Sequence, residues 1–264
     1  MSLTTIIAFI VALGIFLGAI FTATDNYLAF ISFSSFLIVV GGTMAASFVS
    51  YEARYVGLSL KLCYRVFGGA TIKRDILKSE VGRVIRWAYT VQKNGLPALE
   101  AESKKAVRGD RFMKFGIDMV VSGYTGDEVR EILHNTIETT YGRNTVQVNI
   151  LKDMAGISPA FGMIGTLVGL IIMLGKMGED PTQLGPGLAV ALLTTLYGVL
   201  FARMLLSPVS SKVLQREQIM RFRNYLVAEG LALLADRKSP RFIQDKMNSY
   251  LDPAIHFNID KMKR

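Results

Sequence analysis

The chain has 264 residues, 51% of them hydrophobic, and a formal charge of +9 at neutral pH. That is too apolar for an ordinary soluble domain and points to runs long enough to span a bilayer. The single cysteine, Cys63, excludes an internal disulfide framework, and the positive balance suits cytoplasmic loops of a membrane protein better than a nucleic-acid surface.

From Met1 to Tyr51 the one charged side chain is Asp25. The apolar stretches 3–22 and 28–49 are each helix-length, and at ~1.5 Å per residue about 20 residues cross a ~30 Å hydrocarbon core. The short polar link 23–27 predicts a tight antiparallel hairpin. The first stretch lacks a basic leader and runs too long for a cleavable signal.

Residues 52–152 read as a helical cytoplasmic domain. Thr71 is a candidate N-cap for a helix carrying Leu77, Val81, Val84, Ile85, Ala88 and Val91 at helical spacing, with Gly95 as its stop. Pro97 suits the first turn of a short helix reaching Lys105. Asp110 is placed to cap a helix ending near Gly123. Thr125 with Asp127 and Glu128 opens another, striped by Val129, Ile132, Leu133, Ile137 and Tyr141, that should run directly into the next span.

A second hairpin occupies 153–209, with spans at about 154–176 and 183–206. No charge interrupts 154–175 or 181–202, and a short polar turn, 176–180, separates them. Residues 210–264 complete the chain as cytoplasmic C-terminal helices. The tail from 203 reads as a basic amphipathic helix broken at Ser239-Pro240. Of the 30 Lys and Arg, 17 lie between Tyr51 and Asp153 and 12 from Arg203 onward. The positive-inside rule then puts both short turns outside and both termini in the cytoplasm of an inner-membrane, multi-pass protein. The expected class is an all-α membrane protein with four transmembrane helices in two hairpins.

Within the third span Pro159, Gly162, Thr166 and Gly169 share one face. In the fourth, Gly187, Ala191, Thr194 or Thr195, Gly198 and Ala202 do the same. Small residues let helix backbones approach, so plain packing accounts for the spacing. The hydroxyls and the proline add a second reading. Pro159 has no N–H, which frees a carbonyl near Ala155, and free carbonyls with threonine hydroxyls can receive a hard cation. Ion pathways ordinarily need an intramembrane acid, and these spans contain none, so a partner chain would have to bring it. Pro208 frees a carbonyl at the cytoplasmic end of the fourth span in the same way. Tyr197 is read as packing. His134 and His256 have no Cys or Glu at ligand spacing, so no metal site is expected. With no phosphate loop and no Ser–His–Asp set, no enzyme is expected either.

The segments Pro159-Ala-Phe-Gly-Met-Ile-Gly-Thr-Leu-Val-Gly-Leu170 and Ala189-Val-Ala-Leu-Leu-Thr-Thr-Leu-Tyr-Gly198 resemble the third and fourth spans of the flagellar stator A subunits, the MotA/PomA family. Leu37-Ile-Val-Val-Gly-Gly42 resembles their second span, and Ser239-Pro-Arg-Phe-Ile243 with Tyr250-Leu251 their C-terminal motif. The resemblance implies a homopentamer around a dimer of a MotB/PomB-type B subunit, which supplies the acid. It further implies that ion flow drives rotation of the A ring, and that the cytoplasmic domain pushes on the rotor protein FliG. By that likeness Pro159, Thr166, Thr194 and Thr195 line the ion path, Pro208 acts in coupling, and Lys93 and Glu100 meet the rotor. Threonine at both Thr166 and Thr195 resembles the sodium-driven PomA branch, so Na+ rather than H+ is the expected transported ion, with no bound cofactor.

Two departures stand beside the likeness. Ser32 occupies the place where Vibrio-type members carry Asp, and Gln92 replaces the first basic residue of the rotor motif, with Lys93 next to it. An energiser of outer-membrane transport like ExbB or TolQ would have one span ahead of the cytoplasmic segment, where this chain has two before Glu52. The remaining alternatives are a stator-like protein driving another machine and a non-conducting membrane scaffold.

Overall fold

A computed structural model describes residues 3–68, 75–106, 109–176 and 184–261, and every regular element among them is helical. The helices are α1 (Leu3–Ala23), α2 (Phe33–Phe36), α3 (Gly42–Ser50), α4 (Ala53–Gly68), α5 (Asp75–Asn94), α6 (Leu96–Ala106), α7 (Arg111–Val121), α8 (Gly126–Gly175), α9 (Leu184–Leu200), α10 (Ser207–Ala235) and α11 (Pro240–Asn248). Among the described residues three stretches are long and apolar enough to cross a membrane: Tyr27–Ser50, Gly126–Gly175 and Leu184–Ala235. Within α1, Ile7–Ala23 is a shorter apolar helix. The chain divides into two units, Met1–Thr71 with Asn144–Gln215, and Ile72–Arg143 with Arg216–Arg264.

In the apolar unit, α1 buries none of its described residues, and the Phe21 ring meets Tyr27 at 5.2 Å across the turn. The second span departs from the expected helix over 28–49. A single 3-10 turn, Tyr27–Phe30, is followed by extended backbone at Ile31 and Ser32 before helix resumes at Phe33. Ser32 is the reason for the restart, because its hydroxyl accepts the Ser35 N–H as an N-cap. A π-helical segment, Leu37–Gly41, separates α2 from α3. The buried face of this span carries Ser35, Val39, Thr43 and Ser47, at steps of four. Thr43 donates to the Val39 carbonyl at 2.6 Å and Ser47 to the Thr43 carbonyl at 2.7 Å, so these hydroxyls need no outside partner. Near Ser50 the chain packs through Val148, Leu151, Met154, Leu206, Val209 and Val213, with α4 residues Leu60 and Cys63 against them.

In the second unit the sequence signals act locally as expected. Gly95 ends α5 at φ +78°, a conformation that suits glycine. The Asp110 carboxylate accepts the Met113 N–H and caps α7. Thr125 and Glu128 form a reciprocal capping box, and the Thr125 N–H holds the Glu128 carboxyl below the usual carboxylate range. From that cap α8 runs unbroken to Gly175. The expected cap Thr71 lies outside the described residues.

One expectation is corrected. The tail helix is not amphipathic where it matters, because every residue from Leu226 to Leu234 is buried. It is the central strut of its unit, surrounded by Val84, Ile85, Trp87, Met113, Ile117, Leu133, Ile137 and Met247. The helix also stops earlier than Ser239. It ends at Ala235 and turns through Arg237 at φ +52°, after which Ser239 caps α11. The Asp236 carboxylate accepts the Gly126 N–H at 2.8 Å, fastening the end of α10 to the start of α8.

Gly42 is a seat for Phe161 of α8, since a Cβ there would lie 2.3–2.9 Å from three ring atoms. Gly41 would meet only Leu37, at an ordinary 3.5 Å. Gly42→Val is therefore expected to cost about 1–3 kcal/mol of packing, with Gly41→Ala near neutral. Melting of the detergent-solubilised protein measures both, and equal melting of the two variants would refute the seat.

Candidate ion-path wall

Glycine sets the distance between α8 and α9. A Cβ at Gly162 would sit 2.9 Å from the Thr194 carbonyl, at Gly169 2.6 Å from the Ala191 nitrogen, and at Gly198 2.9 Å from the Ser158 carbonyl. Gly187 faces the Gly169 carbonyl at 2.9 Å in the same sense. The two small-residue stripes pack on each other, backbone to backbone, as the bland reading of their spacing requires. Ser158 adds a hydrogen bond across the seam, donating to the Gly198 carbonyl at 3.1 Å.

The hydroxyls divide along this seam. Thr194 is fully buried; its methyl side fills the space opposite Gly165, and its hydroxyl donates back to the Val190 or Ala191 carbonyl, each at 3.0 Å. Thr195 is exposed on the neighbouring face. Its Oγ1 lies 2.6 Å from Thr166 Oγ1. Thr166 Oγ1 is also 3.0 Å from the Ala191 carbonyl and 3.1 Å from the Gly162 carbonyl. Thr166 has one proton, so it can satisfy one carbonyl and still accept from Thr195. The result is a cluster of four oxygens with one exposed member, uncharged and at the surface of two apolar helices.

Pro159 lies one turn away and is half-buried beside Gly198. It removes the helical bond to the Ala155 carbonyl while α8 continues through it. Pro208 is exposed at the start of α10, directly after the π-helical segment Phe201–Leu206. A wide turn before a proline is one of the few ways a helix absorbs the missing donor. Among the described residues no group of three or more His, Cys, Asp and Glu could hold a metal ion.

Tyr197 does more than pack. Its hydroxyl donates to the Phe30 carbonyl at 2.5 Å and accepts the Ser32 N–H at 3.0 Å. Those are polar groups that the break in the second span leaves without helical partners. A tyrosine in an apolar span was the available signal, but its partners lie far away in sequence. In the other unit, Lys93 sits in the last turn of α5 and Glu100 on α6, both exposed, on either side of Gly95. Thr90 donates to Glu102 at 2.5 Å across the same turn.

Residues 105–224 match the model of the MotA/TolQ/ExbB proton channel family. The chain is 33% identical over 223 residues to the chemotaxis protein PomA of Vibrio alginolyticus, covering 84% of this chain and 85% of that one. The chain belongs to the MotA/TolQ/ExbB family. The motility protein A of Treponema phagedenis is likewise 33% identical over 255 residues, 96% of this chain and 95% of its own. Within this family the fold is close to that in the structure of C. jejuni MotAB, with a TM-score of 0.84 at 23% identity over 96% of this chain and 97% of that one. The flagellar MotAB stator complex from Bacillus subtilis gives 0.81 at 24% identity, with the same coverage of 96% and 97%.

The α8–α9 seam yields a direct test. Gly169→Ala drives a methyl into backbone that cannot swing away and is expected to cost about 1–3 kcal/mol, visible as lost yield and a lower melting temperature of purified protein. Gly175→Ala, with nothing within 4 Å, should behave as wild type. Tolerance of both substitutions would show that the helices are not held at glycine distance.

Proposed function

We propose that this protein is the A subunit of a bacterial flagellar stator, forming with a MotB/PomB-type partner an ion channel whose flow rotates a ring of A subunits. The observation that carries the reading is the Thr166–Thr195 hydroxyl pair, with Thr195 exposed, on stretches 154–175 and 184–202 that bear no carboxylate, in a chain whose relatives are named motility protein A and PomA. The oxygens suit a partly dehydrated cation, and an acid from the partner helix supplies the charge that the wall lacks. Pro159 borders the path, and Pro208 joins the span to the tail helix. Thr194 backs the wall from within the seam.

Sodium is the ion of choice because a dehydrated Na+ needs several oxygen ligands, whereas a proton needs only the acid. Four spans with both termini in the cytoplasm follow from the charge distribution. Two apolar helices stand ahead of Glu52, which argues for a stator over an ExbB-like arrangement. Lys93 and Glu100 flank an exposed turn, suited to weak, rapidly exchanging ion pairs with the rotor protein FliG. The ring is a homopentamer around two B subunits, by likeness to the family.

Co-expression with a B-type partner in cells lacking their own stators, followed by swimming speed against sodium at constant ionic strength, tests this. Speed should rise and saturate with sodium. Thr195→Val should raise the half-saturating sodium concentration about ten-fold or stop swimming, with the complex still assembled. Speed that ignores sodium but collapses with a protonophore would assign the proton instead, and unchanged swimming by Thr195→Val would favour a scaffold.

A further inference from the structure

Arg223 lies on α10 and is 3% exposed. Its Nε and Nη2 donate to Glu80 Oε1 on α5 at 3.1 and 2.6 Å, and Nη2 also donates to Asp110 Oδ2 at 2.5 Å. Nη1 donates to the Asn224 side-chain carbonyl at 3.0 Å. Glu80 is 2% exposed, and its other oxygen is met by Arg83 at 3.0 Å, an ion pair without hydrogen-bond alignment. Asp110 divides its two oxygens, one on Arg223 and one capping α7 through the Met113 N–H. A single guanidinium therefore holds α5 and the first residue before α7, the two elements that flank α6 in the chain.

Stability alone does not call for this arrangement. Burying an arginine and a glutamate costs desolvation that an apolar pair of similar volume avoids, and Leu226, Val227, Leu231 and Leu234 already give α10 an apolar core. What a guanidinium fork adds, with Nε and Nη2 converging on Glu80 Oε1 and Nη2 shared with Asp110 Oδ2, is direction. Apolar packing resists separation but is non-directional, whereas hydrogen bonds from a planar fork also resist sliding and rotation of one helix against another. α10 is the helix in which the chain passes from the span after Pro208 into the second unit, and α5 ends at Lys93.

We propose that Arg223 is a positioning residue for force transmission: through Glu80 and Asp110 it locks α10 to α5 and α7, so that the exposed Lys93–Glu100 turn moves with α10 rather than slipping against it. This rests on the stator reading above. The joint would matter under load and not for ion passage, which involves other residues.

The test uses the full chain with its B-type partner in cells lacking stators, with a bead on a flagellar stub. Torque then rises in steps as stators engage, so step height reports torque per stator and step number reports how many assemble. Two variants remove the lock: Arg223→Met with Glu80→Met, which replaces the buried charges by apolar side chains, and Arg223→Lys, which keeps the charge but loses the fork. Both should lower step height about two-fold or more at high load, leaving the sodium dependence unchanged. Arg221→Ala, which removes the exposed pair with Glu138 on the same helix, should leave step height unaltered. Wild-type step height with fewer steps would mean that the cluster only stabilises the fold, and would overturn the proposal. If the double variant does not assemble, Arg223→Lys decides alone, with full step height overturning the lock. Absence of any steps with the wild-type chain would sink the stator reading and this inference with it.

Discussion

Helices in a bilayer gain nothing from burying leucine against leucine, because lipid tails are as apolar as the side chains. What holds α8 to α9 is close approach, and close approach requires that no Cβ stand between them. Gly162, Gly169, Gly187 and Gly198 meet that requirement on alternating sides of the seam. The placement of the threonines beside the seam follows from it. Thr194 can be buried only because Gly165 leaves room for it, and Thr166 reaches the Ala191 carbonyl only because the backbones nearly touch.

The same seam determines the chemistry at its edge. A hydroxyl inside a bilayer must find an acceptor, and the cheapest one is a carbonyl on its own helix. Thr194, Thr43 and Ser47 all take that route. Thr166 also has carbonyls in reach, those of Gly162 and Ala191, and in addition meets the exposed Thr195 hydroxyl across the two helices. Tyr197 performs the complementary task, supplying one donor and one acceptor to a span whose backbone is broken at Ile31 and Ser32.

The second unit is built on different physics. Water drives its core together, and Trp87, Ile85, Leu133 and Met113 close around the stretch of α10 from Leu226 to Leu234, which is buried on all sides. Its buried charges include the Arg223 cluster and the partly buried Arg130–Glu229 pair, while the buried Gln244 and Asn248 amides pair with the backbone of Ile259 and Phe257. The guanidinium of Arg223 is disfavoured by burial, but Glu80 and Asp110 outweigh that and hold its proton more tightly than usual. Exposed pairs such as Arg221 with Glu138 are a lesser matter, since solvent screens them, although the Tyr225 hydroxyl and then Arg221 hold the Glu138 carboxyl below its ordinary range.

The sequence by itself determined the features that depend on neighbours within a turn or two. Helix periodicity, the caps at Asp110 and Thr125, the break at Ser239-Pro240, the stop at Gly95 and the glycine stripes are all local, because spacings and hydrogen-bond partners three or four residues apart create them. Thr166 and Thr195 were legible as a candidate wall for the same reason. What the sequence left open was the choice between Thr194 and Thr195, adjacent residues that point about 100° apart on a helix, because only the partner helix decides which side is buried. The break at Ile31 and Ser32 with the helix restarting at Phe33, Tyr197 as a clamp and Arg223 as a buried node were equally hidden. Their partners are distant in the chain, and nothing local marks them. The tail helix was misread for a related reason: helices from α5, α7 and α11 cover its flanks, and a helix covered by others no longer needs a polar face. Tertiary structure decides such matters because burial is a property of what surrounds a residue, and the residue's own neighbours in sequence supply little of that surrounding.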